Sequence, residues 1–230
     1  MRGIIFDFNG TLFWDSHMHY DAWRKYSKIL RGYEFTDDEM RQYMFGRTNK
    51  DIIEYCIGKT PTLEMVEKYA NEKEYLYRQE CLKNRESFKL ADGAIEFLDY
   101  LVENNIPRTI ATMSEWQNVE FYIKEFQLER WFDLDKIVYS NGEIKGKPAP
   151  DIYLIASKNL GLEPKDCIVI EDALSGIQSA KDAGIGEIIA IASLEPHSLY
   201  KPLDCVSQII DNFDEIDKSI FFKTYSEVCR

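Results

Sequence analysis

Asp7 follows the apolar run IIF, Thr112 and Ser114 close RTIATMS, Asn141 follows IVYS, and Glu171 with Asp172 follows IVI; Lys147 stands in KGKPAP. Acids, hydroxyls and a lysine form a donor set suited to a divalent cation and a phosphoryl group. A hard cation such as Mg²⁺ takes one or two carboxylates plus substrate oxygens, while a lysine with hydroxyl or backbone N–H donors neutralises phosphoryl oxygens. Carboxylates gathered without a cation would repel one another. Singly, each residue has an ordinary explanation: Asp7 as a turn former, Thr112 and Ser114 as helix caps, Glu171–Asp172 as a cap pair, Lys147 as a solvated charge. Their recurrence, in order, at successive strand ends is what those explanations leave out.

The elements that must position these residues follow from the pattern of the chain. RGIIFDF reads as a short buried strand ending in the turn residues Asn9 and Gly10. From Phe13 to Phe88 the text is long, charged and nearly free of strand-like runs, which predicts helices. TLEMVEKYANEKEYLYRQECLKN sets Leu63, Val66, Ala70, Tyr77 and Cys81 near helical spacing, with Thr62 as a cap. After Phe88 helices and strands alternate: GAIEFLDYLVENN, IPRTIATMS, EWQNVEFYIKEFQL, KIVYS, PAPDIYLIASKNLG, DCIVIED, ALSGIQSAKDAG, GEIIAIA and a weaker SQII before a terminal helix. Such alternation predicts an α/β fold, a doubly wound parallel sheet covered on both faces. Residues 1–13 and 89–230 form its Rossmann-like core, with a helical insert at 14–88. Ligands of such sheets bind beyond the carboxyl ends of the strands.

Composition removes several classes of function. With 28 basic and 40 acidic residues the net charge is −12, which opposes nonspecific nucleic-acid binding. No apolar run approaches the ~20 residues that span a bilayer, so no membrane partner is expected and the location reads as cytoplasmic. The cysteines at 56, 81, 167, 205 and 229 are scattered and read as reduced thiols. GEIKGK lacks the spacing of a nucleotide-binding P-loop, and His17 and His19 stand without a third metal ligand.

The stretches DFNGTL, ATMS, KGKPAPDIY and VIEDALSGIQSAKDAG together resemble the four motifs of the haloacid dehalogenase-like hydrolase superfamily, within it the branch of β-phosphoglucomutases and small sugar phosphatases. The resemblance covers essentially the whole chain, and the insert is similar to that family's helical cap domain. It implies that Asp7 is the nucleophile that forms an aspartyl-phosphate. It also implies Mg²⁺ held by Asp7, the main-chain carbonyl of Asn9 and Asp172, with Glu171 close by or acting through water. Gly10, Thr112, Met113 and Lys147 would bind the phosphoryl group, Lys147 also keeping Asp7 ionised, and Arg47 in FGRTNKD would contact the substrate. The expected partner is a small phosphorylated metabolite, and the expected state a monomer with a dimer as the alternative.

Asn9 departs from this pattern. Phosphatases and mutases of the family carry a second aspartate there, as general acid to the leaving oxygen and then base for water. An amide can donate a hydrogen bond but cannot exchange that proton. The loss of a positioned acid/base costs about 10²–10⁴-fold, so Asn9 implies an attenuated phosphatase that uses another acid from the cap, chemistry that needs no acid there as in the dehalogenase and phosphonatase relatives, a laboratory substitution, or a catalytically impaired phosphometabolite-binding protein. β-Phosphoglucomutase-like phosphotransfer is the nearer alternative. Glu171 and Asp172 argue against dehalogenase chemistry, which needs no cation.

Overall fold

The computed structural model describes residues 2–44 and 47–222, apart from the Arg41 side chain. Six strands, β1 (Gly3–Phe6), β2 (Arg108–Glu115), β3 (Val138–Ser140), β4 (Cys167–Glu171), β5 (Glu187–Ile191) and β6 (Val206–Ile210), form one sheet in the order β3-β2-β1-β4-β5-β6. Every pairing is parallel. β1 and β4 are buried at every residue, as strands covered on both faces must be.

Alternation along β1 divides the core between those faces. Ile5 joins Ala111, Val169 and Ile188, and against them pack Ile152, Tyr153 and Ala156 from the helix Asp151–Leu160 and Ile177 and Ala180 from the helix Leu174–Asp182. Phe6 points the other way, with its ring 6.2 Å from Phe97, 5.9 Å from Phe132 and 6.2 Å from Phe213. Emptying such a buried aromatic position typically costs about 3–5 kcal/mol.

The strand order positions the site. From β1 the chain moves outward to β2 and β3, then returns to β4 on the other flank of β1 and continues to β5 and β6. The reversal between β1 and β4 opens a crevice beyond their carboxyl ends. Phe6 pairs with Ile170, so the next residues along the two strands, Asp7 and Glu171, emerge side by side.

The chain divides into two compact units, Met1–Trp14 with Lys89–Arg230, and Asp15–Phe88. The second unit contains the helices Ser16–Arg31, Asn49–Ile57 and Leu63–Lys83 around Trp23, Tyr26, Phe35, Ile52 and Ile53. Thr62 caps the last helix, its hydroxyl accepting the Met65 N–H at 3.2 Å. Ala70, Tyr77 and Cys81 are buried, but Leu63 is 87 % exposed. It opens the helix directly after the cap, and its turn reaches beyond the buried stripe.

Other expectations need correction. β2 runs through Thr112 and Ser114 to Glu115, and the helix Trp116–Phe126 has no side-chain cap, so the two hydroxyls are free to serve another purpose. After SQII, where a terminal helix is expected, the described residues form 3₁₀ turns at Phe213–Glu215 and Lys218–Phe221, and 223–230 lie outside the described residues.

Candidate active site

The loop after β1 turns within a few residues: the Gly10 N–H donates to Phe13 O at 2.7 Å and the Phe13 N–H to Phe8 O at 2.9 Å. Gly10 has φ +79°, and a Cβ there would lie 2.2 Å from Asp172 Oδ2. Glycine therefore satisfies two demands, a left-handed backbone and close approach of the loop to a carboxylate.

At the carboxyl ends of β1 and β4, ligand oxygens of Asp7, Glu171 and Asp172 lie within 4.8 Å of one another. Lys147, its side chain 9 % exposed, donates to Asp7 Oδ1 at 2.5 Å and also to Glu171 Oε1. Thr11 donates to Asp172 Oδ1 at 3.1 Å, and the Tyr200 hydroxyl to Asp172 O at 2.7 Å. Burial pushes the Asp7 carboxyl up to about 7, opposed by Lys147 and reinforced by Glu171. Asp172 is raised too, by burial and then by the two other acids. For Lys147 burial works against the charge, but Asp7 and Glu171 outweigh it and hold the amine above the usual lysine range.

One ammonium does not balance three acids in a poorly solvated place, and the raised Asp7 and Asp172 carboxyls register that shortfall. A divalent cation fits this set: the donors are all oxygen, they converge, and they carry the charge that such an ion neutralises.

Asn9 is held by neighbours from the next strand and helix. Its carbonyl oxygen accepts from Ser114 Oγ at 2.7 Å and Thr112 Oγ1 at 3.4 Å, and its amide donates to the Tyr122 hydroxyl at 2.9 Å. Tyr122 is buried with its ring stacked on Phe8 at 4.5 Å. The partners are hydroxyls, which can donate or accept, so the same pocket has the chemistry to hold a carboxylate at position 9.

Among the sequence candidates, Asp7, Asn9, Gly10, Thr112, Lys147, Glu171 and Asp172 thus gather at one sheet edge. The Met113 side chain packs against the sheet core. Asn141 is exposed, and its side chain accepts the N–H groups of Glu143 and Ile144, closing its own loop. Arg47 is an exposed residue of the second unit, and Phe45 and Gly46 before it lie outside the described residues. His17 is exposed and His19 half-buried. Sequence reasoning missed Thr11, Tyr122, Tyr153 and Tyr200. Thr11 stands within the DFNGTL motif and was within reach; the tyrosines have no local mark that separates them from core aromatics.

The profile of the haloacid dehalogenase-like hydrolases matches residues 1–184, and the chain belongs to that family. A crystal structure of a family IA, variant 3 hydrolase from Entamoeba histolytica is 44 % identical, covering 96 % of this chain and 97 % of that one with a TM-score of 0.90. The phosphorylated carbohydrates phosphatase of Thermotoga maritima is 28 % identical over 201 residues, 86 % of this chain and 87 % of the relative. The β-phosphoglucomutase structure from Clostridium difficile, 22 % identical with a TM-score of 0.77 over 99 % of this chain and 98 % of that one, shares the fold.

Proposed function

We propose that the protein is a Mg²⁺-dependent phosphatase of a small, sugar phosphate-like metabolite, working through an aspartyl-phosphate on Asp7 and slowed by Asn9. The observation that carries this reading is the buried ammonium of Lys147 bridging Asp7 and Glu171 beside Asp172. The phosphatase relative that spans most of the chain supports phosphatase over mutase chemistry, since the mutase likeness speaks for the fold alone.

In this reading an Asp7 carboxylate oxygen attacks phosphorus, the ester P–O bond breaks, and its electron pair stays on the departing oxygen, which must gain a proton. Water then cleaves the acyl phosphate and regenerates Asp7. Lys147 favours the ionised form of Asp7 against burial and would face the phosphoryl oxygens, and the Thr112 hydroxyl and the main chain around Gly10 and Met113 supply further donors. Asp7, Asp172 and the main-chain carbonyl of Asn9 would hold Mg²⁺. When bound, the ion supplies charge neutralisation for the transferring group. Asn9 keeps its place beside the site without a proton to give, so leaving groups of low basicity should react best. Arg47 is the cap residue we assign to the distal part of the substrate.

The test is phosphate release from a panel of sugar phosphates and an activated aryl phosphate, with and without Mg²⁺. Turnover that depends on Mg²⁺ and favours the aryl ester supports the reading. A sugar phosphate isomerised without net phosphate release would replace it with the mutase reading, and no turnover of any ester overturns it.

A further inference from the structure

Tyr153, on the helix Asp151–Leu160, is fully buried and has no part in the chemistry above. Its hydroxyl donates to Glu171 Oε1 at 2.7 Å, the oxygen that also accepts from Lys147. The Lys147 ammonium lies 5.3 Å from the centre of the tyrosine ring. Glu171 Oε2 accepts the Ala173 N–H at 3.0 Å. Behind the carboxylate stands Gly176, where a Cβ would come within 1.7 Å of Oε1. Three donors and a wall too close for a methyl group fix this carboxylate in one place. Lys147 is therefore shared between a rigid partner, Glu171, and Asp7.

We propose that Tyr153 is a positioning residue: by occupying Glu171 Oε1 it keeps Lys147 directed at Asp7 and the phosphoryl group, and it commits Glu171 to holding that lysine rather than the cation. This rests on the reading of Asp7 as the phosphoryl site. Charge-assisted hydrogen bonds to one oxygen compete, because each donor lowers the negative potential felt by the other. Without the hydroxyl, Glu171 attracts the ammonium more strongly and draws it away from Asp7. The cation then rests on Asp7 and Asp172, which keeps to the one or two carboxylates that Mg²⁺ ordinarily takes. In Tyr153→Phe the ring face toward Lys147 remains, so the change isolates the hydroxyl.

Titration calorimetry on the whole protein decides it, reading the affinity for Mg²⁺ alone and for inorganic phosphate at saturating Mg²⁺. A supporting outer residue of a metal site typically changes affinity or activity by 10–100-fold. For Tyr153→Phe the phosphate affinity is expected to fall about tenfold while that for Mg²⁺ alone changes less than about threefold. The double variant with Glu171→Gln should bind phosphate no more weakly than Glu171→Gln alone, since the hydroxyl acts through that carboxylate. Equal losses for Mg²⁺ and phosphate, unchanged phosphate binding, or an additive double variant would each overturn the inference. Should Tyr153→Phe not fold, Glu171→Gln alone decides: Mg²⁺ affinity kept while phosphate affinity shifts about tenfold supports the assignment, and Mg²⁺ affinity lost, or neither affinity changed, overturns it. Wild-type protein that binds both ions but hydrolyses no ester ends the phosphatase reading, while the binding comparison still judges Tyr153. Wild-type protein that does not bind phosphate overturns both.

Discussion

Both units of this protein bury charge, and they balance it differently. In the helical unit, Arg31 forms a fork with Glu39 at 2.8 and 3.0 Å and lies over the rings of Tyr33 and Phe35 at 4.2 and 4.4 Å. Lys73, 2 % exposed, donates to Glu74 at 2.7 Å and contacts His19 Nδ1 at 2.9 Å, and the opposite nitrogen of that imidazole faces Asp15 at 3.2 Å. Glu80 meets both Lys25 and Lys83. There Glu39, Glu74 and Glu80 each have a base of their own. At the sheet edge, Asp7 and Glu171 share Lys147, and Asp172 stands beside them with a hydroxyl partner, Thr11. An unbalanced buried charge is costly, so the fold keeps one only where something else is to complete it. The helical unit pairs its charge, and the sheet edge leaves acids that a cationic ligand would complete.

The hardest test of this contrast is Asp7→Asn. It removes the attacking oxygen's charge and should take turnover below detection while thermal unfolding stays intact; residual Mg²⁺-dependent phosphate release would contradict the covalent route. Next in size is Asn9→Asp, which supplies an acid where Ser114, Thr112 and Tyr122 offer hydroxyl partners. It should raise kcat by about two orders of magnitude. Little change would mean that another group already moves the proton. Smaller again, Gly176→Ala forces a methyl group against Glu171 and should lower kcat/KM by roughly 10–100-fold, as loss of a supporting contact does. Retained activity would show that the helix Leu174–Asp182 gives way instead.

The unequal legibility of these features has physical causes. Strand ends were readable because continuous apolar runs such as IIF and IVI stop at their first acid, and a parallel sheet turns successive stops into one edge. The neighbours that hold the site were not. Tyr153 and Tyr122 sit at positions a helix would in any case fill with an apolar ring, and only the folded arrangement brings their hydroxyls to Glu171 and Asn9, |i−j| = 18 and 113 away in sequence. Thr112 and Ser114 read singly as caps, but β2 continues past them to Glu115. Lys73 is the converse case, a lysine that a charged helical text gives no reason to bury.

The smallest expected effect lies in the helical unit and concerns stability. Glu39 takes the Arg31 fork, the Thr36 N–H at 2.8 Å and the Tyr55 hydroxyl at 2.8 Å. The Arg31 bonds, then the Thr36 bond, lower its pKa from 4.5 to about 2. A depressed carboxylate pKa means that the unfolded chain binds the proton more readily than the folded one. The stabilisation is therefore complete above the unfolded value and disappears as pH falls from about 4.5 through about 2. The Glu39 side chain is 20 % exposed, so solvent screening reduces the gain to about 1–2 kcal/mol. Glu39→Gln should lower the neutral-pH melting temperature by a few degrees and flatten the acid limb of stability between those limits. An acid limb as steep as that of the wild type would show that the fork is a solvated surface contact, and the balance of charge in this unit would lose its clearest member.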